Sequence, residues 1–209
     1  AYYNPYVNEI CFPAGILQPP FYDADAAYAA NLGGIGVVIA HEISHAFDNN
    51  GAQYDSRGAF RKWWTLADYT RFKERCDKVA VFFDRIPVSF GVSNRGSLTV
   101  SENVADLLGV ECALELLRDK GAPDYRSFFT AFAVVFRSSM SDGVAAYIAA
   151  HDVHSLGPVR VNRTLSAFRE FRETFGIEPV TTGRNIHRTG NISISTPSEA
   201  VSCRSGAWT

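Results

Sequence analysis

The feature that most restricts the fold of this chain is the pentapeptide HEISH at residues 41–45, which directly follows an apolar run. Residues four apart on an α-helix differ by about 40° in azimuth, so His41 and His45 project from one face and can share a metal ion. Glu42 lies about 100° from His41, close enough to hydrogen-bond a metal-bound water without entering the coordination sphere. The pattern predicts a helix that carries a zinc site and a general base.

Two histidines that flank a glutamate also occur by chance on surface helices that bind no metal. Here the motif follows Ile35-Gly36-Val37-Val38-Ile39-Ala40, which predicts a mostly buried helix over about residues 29–49. Unpaired imidazoles on a buried helix cost free energy. The apolar run therefore favours the metal site over the chance pattern.

A third ligand must come from another part of the chain, because catalytic zinc is held by three side chains and keeps one position open. The extended motif HExxHxxGxxH is absent, since Asp48 and Gly51 stand where its glycine and last histidine would fall. Glu102 is the leading candidate, and Asp106 lies one helical turn later on the same face. Asp106 could accept the second ring N–H of His41, as acceptors near zinc-bound histidines usually do.

Glu102 and Asp106 also have a simpler explanation. Acidic side chains are favoured in the first turn of a helix, where they interact with the helix dipole and remain solvated. Taken on the local sequence alone, this interpretation is the stronger one. The assignment of the third ligand therefore depends on more of the chain.

Size and charge indicate an ordinary globular protein. The chain has 209 residues, enough for one domain with a sizeable core, and 46% of them are hydrophobic. The net charge of -2 gives no electrostatic reason to expect nucleic acid or an anionic membrane as a partner. The longest apolar run is far shorter than the roughly 20 residues that cross a bilayer, and no signal segment is visible. We therefore expect no membrane contact from this chain itself.

The pattern along the chain predicts a mainly helical protein. Residues 1–22, rich in Pro, Gly and aromatic side chains, are expected to form a strand followed by a loop. Further helices are predicted at 65–84 with Thr65 as N-cap, at 101–117 with Ser101 as N-cap, at 125–138 and at 162–175, with a loop or short strand at 86–100 and a loop at 151–158. Beyond Pro179 the composition changes to Ser, Thr, Gly and Asn. We therefore expect a catalytic domain over residues 1–179 and a poorly structured tail over residues 180–209.

A series of short motifs runs through residues 1–175. They are AYY at 1–3, FPAGILQPPF at 12–21, HEISH at 41–45, WWT at 63–65, ENVAD at 102–106, and DVH at 152–154 followed by RVN at 160–162. In content and order this series resembles the C-terminal catalytic region of the neprilysin family of zinc endopeptidases. The resemblance implies an α+β, predominantly α, zincin-like (thermolysin-like) catalytic domain with an HExxH active-site helix and a few strands.

The resemblance also assigns the metal site. It implies that one zinc ion (Zn2+) per chain is bound by His41, His45 and Glu102. It further implies that Glu42 activates a zinc-bound water and that Asp106 orients His41. These assignments agree with the interpretation of the helical spacings and select Glu102 as the third ligand.

Residues that would contact the substrate are likewise assigned by resemblance. His154 is similar to the family histidine that stabilises the oxyanion of the tetrahedral intermediate, and Arg160 to the arginine that holds a substrate backbone carbonyl. In the family an asparagine and the alanine at the position of Ala1 clamp the substrate backbone, so Ala1 is a candidate substrate-binding residue. Asp152 is expected to orient His154. Two histidines are interpreted as bystanders: His151 and His187.

The family's chains also have a large N-terminal portion that supplies sheet strands and a helical cap over the cleft. The resemblance implies that such a portion of the same polypeptide completes this fold, and that the whole protein is extracellular or a membrane-anchored ectodomain. Cys76 and Cys203 resemble a cysteine pair that many family members join by a disulfide.

These expectations combine into a zinc-dependent endopeptidase that hydrolyses internal bonds of short peptides, on the amino side of hydrophobic residues. The main alternative is an inactive zinc-binding fragment or pseudoenzyme that acts as a structural or interaction module, because a cap and a sheet are lacking. A third possibility, metal sequestration without catalysis, would leave Glu42, His154 and Arg160 without a purpose.

Overall fold

A continuous helical segment carries the HEISH motif in the computed structural model, which describes residues 1–89 and 91–178. The segment consists of α1 (Tyr28–Asn31), a π-helix (Leu32–Gly36), α2 (Val37–Ser44) and a 3₁₀ turn (His45–Phe47). The helix predicted over residues 29–49 is confirmed, with ends that differ by one or two residues.

Glycines in the π-helix allow the neighbouring backbone to approach closely. A Cβ atom on Gly33 would lie 2.0 Å from the carbonyl oxygen of Phe128, and one on Gly34 would lie 2.4 Å from that of Phe21. No side chain fits at either distance. The two glycines therefore fix how deeply the start of the segment that carries the HEISH motif is embedded in the protein.

Six further α-helices occur in the described residues. They are α3 (Leu66–Phe83), α4 (Val100–Asp119), α5 (Tyr125–Val135), α6 (Asp142–His151), α7 (Gly157–Ser166) and α8 (Arg169–Phe175). Helix α3 begins as predicted, because the hydroxyl of Thr65 accepts the backbone N–H of Asp68 at 3.1 Å.

Helix α4 lies at the centre of the core. Val110 and Leu114 on this helix are fully buried and pack with apolar side chains of α3, α5 and α7. The fully buried members of these three helices are Phe83, Phe128, Phe129, Phe132 and Leu165. Burial of such large side chains is the main favourable term in folding, so α4 is the fixed element against which α2 is positioned.

Two small antiparallel hairpins supply the strands of the described residues. Strand β1 (Tyr2–Asn4) pairs with β2 (Glu9–Cys11), with Tyr3 opposite Ile10, and β3 (Pro87–Ser89) pairs with β4 (Val92–Ser93). The prediction of one strand and a loop over residues 1–22 is therefore wrong, because the chain turns back at Asn8, which adopts a positive φ of 50°. The expectation of a predominantly helical protein with a few strands is confirmed.

Three predictions on helices need correction. Ser101 is not an N-cap: Thr99 occupies that position, and Ser101 lies inside α4 with a buried side chain. Helix α6 was not predicted. The helix predicted over residues 162–175 is two helices, α7 and α8, separated at Phe168, whose backbone is extended and whose side chain is buried in the core.

Burial of α2 differs between its two faces. His41, Glu42 and Ser44 are buried against the protein, whereas Ile43 is 49% exposed and Ile39 is also exposed. The prediction of a mostly buried helix therefore holds only for the face that carries the histidines.

Some predictions fall on residues that the structure does not describe. The boundary at residue 179, the tail over residues 180–209, His187 and Cys203 all lie outside the described residues, so the disulfide with Cys76 stays a prediction. Burial raises the pKa of the Cys76 thiol to about 12. Within the described part of the chain, every helix is too short or too polar to cross a bilayer.

Candidate functional site

His41 of α2 and His45 of the 3₁₀ turn that continues it face each other at the C-terminal end of the helix. The Nε2 atoms of His41 and His45 are 3.0 Å apart, and the rings meet nearly edge to face with their centroids 4.6 Å apart. The i,i+4 spacing brings the rings together, as the sequence predicts.

The first turn of α4 brings Glu102 to the same point. Its Oε2 atom lies 3.3 Å from Nε2 of His41 and 3.7 Å from Nε2 of His45. Glu102 is only 9% exposed and Asp106 only 1%. The alternative of a solvated first turn is therefore wrong, because α4 directs this turn into the protein and onto α2.

The three residues fit a zinc ion. Four tetrahedral ligands at about 2.0–2.1 Å from zinc lie roughly 3.3 Å from one another, and the three distances above scatter around this value. Oε2 of Glu102 is buried and has imidazole nitrogens nearby, yet none of these contacts has the geometry of a normal hydrogen bond. Within the described residues, this is the group of His, Cys, Asp and Glu side chains whose ligand atoms converge for a metal.

Asp106 connects His41 to a buried arginine. Nδ1 of His41 lies 2.9 Å from Oδ1 of Asp106. Arg160 on α7 donates from Nε to Oδ2 at 2.8 Å and from Nη2 to Oδ1 at 2.6 Å, and its guanidinium lies over the ring of Phe136. Burial would raise the pKa of Asp106, but the charges of Arg160 and His41 hold it well below its usual range. Asp106 is therefore a buried anion held between two cationic groups.

Asp48 contacts Nδ1 of His45, as Asp106 contacts Nδ1 of His41. Nδ1 of His45 donates to Oδ2 of Asp48 at 2.7 Å, which leaves Nε2 facing Glu102. Asp48 is 2% exposed. Sequence reasoning used Asp48 only as evidence that an extended motif is absent. The signal that could have identified it is its i+3 position after His45, at the end of a helix that carries ligands.

Glu42 lies beside the ligands with its carboxylate unengaged. The residue is buried, and its side chain makes no hydrogen bond or ion pair with any described residue. Its charge acts on Arg160, and this helps to raise the pKa of the arginine. Glu42 is thus near the site and able to accept a proton from a molecule that enters it.

His154 reaches the site from the loop after α6. Nε2 of His154 lies 3.1 Å from Oε2 of Glu102, and Nδ1 donates to Asp152 at 2.8 Å. The loop is fastened to α4 where the hydroxyl of Ser155 donates to Oδ1 of Asn103 at 2.9 Å. Glu102 raises the pKa of His154. Burial would raise the pKa of Glu102, but His154 and His41 hold it well below its usual range.

Two other predicted residues have less direct positions. Ala1 is exposed and directly precedes β1, and no contact joins it to the ligands. His151 stacks on Tyr147 at 4.5 Å and contacts its carbonyl through Nδ1, away from the three ligand atoms. The structure therefore brings together the predicted ligands, Glu42, Asp106, His154 and Arg160, and it shows no contact between these residues and Ala1.

Comparisons with known proteins agree with this geometry. The model of peptidase family M13 matches residues 1–185. The neutral endopeptidase of Lactococcus lactis subsp. lactis is 43% identical over 178 residues, which make up 85% of this chain and 28% of that protein.

Two solved structures share the fold. PEPO from Lactobacillus rhamnosis HN001 has a TM-score of 0.80 at 42% identity, over 85% of this chain and 28% of that one. The zinc metalloprotease ZMP1 of Mycobacterium tuberculosis, in complex with an inhibitor, has a TM-score of 0.78 at 36% identity, over 85% of this chain and 29% of that one. The expected zincin-like fold class is thereby confirmed, and the chain spans less than a third of the length of these relatives.

Proposed function

The chain belongs to peptidase family M13, and on that premise we propose that it is the catalytic part of a zinc-dependent endopeptidase that cleaves internal bonds of short peptides. One observation carries the proposal. The ligand atoms of His41, His45 and Glu102 converge within 4.8 Å of one another, beside the unengaged carboxylate of Glu42.

In this proposal the zinc ion is held by His41, His45 and Glu102, one ion per chain. Zinc in such a site supplies Lewis-acid chemistry, which polarises a peptide carbonyl and makes a water acidic enough to lose a proton near neutral pH. Asp106 fixes the ring of His41 so that Nε2 faces the other two ligands. The arrangement of a carboxylate behind a histidine is the usual support of a zinc ligand.

Glu42 is the general base. Its carboxylate accepts a proton from the water that attacks the scissile carbonyl and then delivers this proton to the leaving amine. Burial beside the ligands, without a competing partner among the described residues, supports this role.

His154 and Arg160 act on the substrate. His154, held by Asp152 through Nδ1, directs Nε2 towards the ligands and donates to the negative charge that develops on the carbonyl oxygen. Arg160 uses Nε and Nη2 for Asp106, and its remaining N–H groups bind a substrate carbonyl. Ala1 contributes backbone hydrogen bonds to the substrate, a role that rests on the family resemblance alone.

The substrate class and cellular location also rest on the family resemblance. We propose cleavage on the amino side of hydrophobic residues, in a protein that is extracellular or anchored as an ectodomain. A preceding portion of the same polypeptide completes the fold. The side chains of Ile39, Ile43 and Phe47 form an exposed apolar stripe along the active-site segment. This stripe supports a covering portion, because soluble proteins rarely leave contiguous apolar surface uncovered.

A second candidate function is zinc binding without catalysis, as a structural or interaction module. The three converging ligand atoms of His41, His45 and Glu102 are compatible with it, because they are all that zinc binding requires. A module of this kind would need the three ligands and their supporting carboxylates, but it would not need Glu42.

The substitution Glu42→Gln separates the two candidates. The variant should retain zinc and lose about 10²–10⁴-fold in kcat on an internally quenched peptide, because only the base is removed. The matched control is Glu74→Gln, the same change at an exposed position of α3, which should leave kcat unaltered. Binding of one zinc ion with no cleavage by the unaltered protein would favour the inactive module, and absence of zinc would refute the site itself.

A further inference from the structure

The carboxylate of Asp48 is saturated with hydrogen bonds. Oδ2 accepts from Nδ1 of His45 at 2.7 Å and from the hydroxyl of Ser101 at 2.5 Å. Oδ1 accepts the backbone N–H groups of Asn50 at 2.6 Å and Gly51 at 2.7 Å. Four donors therefore hold this buried side chain in a single orientation. Its oxygen atoms are occupied by these hydrogen bonds and are not free to bind a metal.

Two of the partners of Asp48 lie on different elements of the fold. His45 follows directly on α2, whereas Ser101 lies in the first turn of α4, one residue before Glu102. Ser101 is itself 8% exposed, and its oxygen accepts from Nδ2 of Asn50 at 3.2 Å. The hydroxyl therefore both donates and accepts, and its position is as fixed as that of the carboxylate.

We propose that Asp48 and Ser101 are positioning residues that set the separation between His45 and Glu102, so that the metal site is assembled before the ion arrives. Oδ2 of Asp48 joins His45 to Ser101, the residue beside Glu102. The inference rests on the zinc site of the proposed function. It gives Ser101 a role in positioning the zinc ligands, in place of the role of helix N-cap that the sequence predicted.

Each side chain makes a different contribution to this connection. Asp48→Asn keeps the size of the side chain but leaves one acceptor oxygen for four donors, so both the orientation of His45 and the link to α4 are weakened. Loss of such an outer partner reduces metal affinity by about 10–100-fold. Ser101→Ala removes only the link between the helices, and Ser101→Thr retains the hydroxyl.

The test measures zinc affinity by competition with a chromogenic chelator, together with the visible spectrum of the cobalt-substituted protein, which reports ligand geometry. We expect zinc binding to weaken about 100-fold in Asp48→Asn and about 10-fold in Ser101→Ala, with an altered cobalt spectrum in both and recovery in Ser101→Thr. The matched control is Ser166→Ala, which removes an equally buried hydroxyl that donates to the carbonyl of Arg163.

Zinc affinity within twofold of the unaltered protein in both Asp48→Asn and Ser101→Ala, with an unchanged cobalt spectrum, would overturn the inference alone. If the unaltered protein binds no zinc, the proposed function fails and the inference fails with it. Should Asp48→Asn not fold, the Ser101 variants still decide, because equal affinity in Ser101→Ala and Ser101→Thr would contradict a role for the hydroxyl.

Discussion

At the scale of single residues, burial and neighbouring charges have opposite effects on the pKa of His41. Burial would lower the pKa of His41, but its contacts with Asp106 and Glu102 raise it to about 9 in the zinc-free protein. The raised pKa means that a protonated His41 stabilises the zinc-free fold below about pH 6.5, and that this contribution is lost as the pH rises through about 9.

Zinc binding should therefore release a proton from His41 at neutral pH, since zinc binds only the neutral ring. We expect release of about one proton per zinc at pH 7 from this residue, measured by calorimetry in buffers of different ionisation enthalpy, and tighter binding as the pH rises towards 9. In Asp106→Asn the carboxylate is gone, the pKa of His41 falls, and fewer protons are released. Zinc affinity that does not change between pH 6.5 and 9 would contradict this prediction.

Arg160 should contribute more to the free energy of unfolding than Arg163, although both guanidinium groups lie over a phenylalanine ring. Arg160→Ala leaves the carboxylate of Asp106 buried without its bidentate partner, which costs about 3–5 kcal/mol. Arg163→Ala is the control: this arginine stacks on Phe82 at 4.0 Å and donates to its carbonyl, with no carboxylate partner among residues 1–89 and 91–178. We expect it to lose about 1–2 kcal/mol. Denaturant unfolding measures both, and equal losses would refute the argument.

The residues of the site were predictable to different degrees. The i,i+4 spacing alone placed His41 and His45 on one face, because that geometry is local. Glu102 could not be selected in this way, since its burial depends on how α4 packs on α2. Ser101 was assigned to a local cap because a hydroxyl at a helix start usually serves that purpose, and its bond to Asp48 spans 53 positions of sequence.

At the scale of elements, the packing of α2 on α4 depends on one glycine. A Cβ on Gly109 of α4 would lie 3.0 Å from both the backbone nitrogen of His41 and the carbonyl oxygen of Val37. Gly109→Val should force the two helices apart, destabilise the protein by about 1–3 kcal/mol and weaken zinc binding, with a smaller effect for Gly109→Ala. Denaturant unfolding and zinc titration measure the two effects.

Gly143 provides the matched control in another helix. A Cβ at this position of α6 meets no atom within 4 Å. Gly143→Ala should therefore leave zinc affinity unchanged and stabilise the protein by up to about 1 kcal/mol, because alanine is the better helix former. If Gly109→Val bound zinc as tightly as Gly143→Ala, the spacing of the helices would not control the site.

Elements were predictable where local signals were strong. Thr65 caps α3 because its side chain bonds within the same turn, a contact that four residues of sequence encode. The buried positions of helix α6 are only Ala145 and Ala149, and its larger side chains Val144 and Tyr147 are exposed, so its pattern was too weak to detect. The separation of α7 from α8 depends on burial of Phe168 in the core, which is a tertiary effect.

At the scale of the whole molecule, the metal site should act as a cross-link, because its ligands come from two helices of the core. Removal of zinc with a strong chelator should lower the melting temperature, and added zinc should restore it. With free zinc at 1,000 times its Kd, the stabilisation is about 4.1 kcal/mol. Glu42→Gln should show the same response, since it retains the ligands, whereas His45→Ala should show none. A melting temperature insensitive to the chelator would contradict the cross-link.

The overall architecture was the least accessible to sequence reasoning. The mainly helical class followed from periodicity, but the central position of α4 did not, because the five predicted helices are equivalent until they are packed. The exposure of Ile43 was also not predicted. An apolar residue within the motif predicts burial, and the sequence does not show which face of the helix is turned towards the core.

Asp106 contacts both His41 and Arg160, and this limits how the sequence can diverge at these three positions. A single carboxylate supports both the imidazole of His41, the proposed zinc ligand, and Arg160, the proposed substrate-binding arginine, so a replacement tolerated beside one partner must also satisfy the other. Mutational effects at Asp106, His41 and Arg160 should then be epistatic, and drift at any one of them is restricted by its neighbours. Changes in peptide preference are therefore expected to arise at residues outside this triplet.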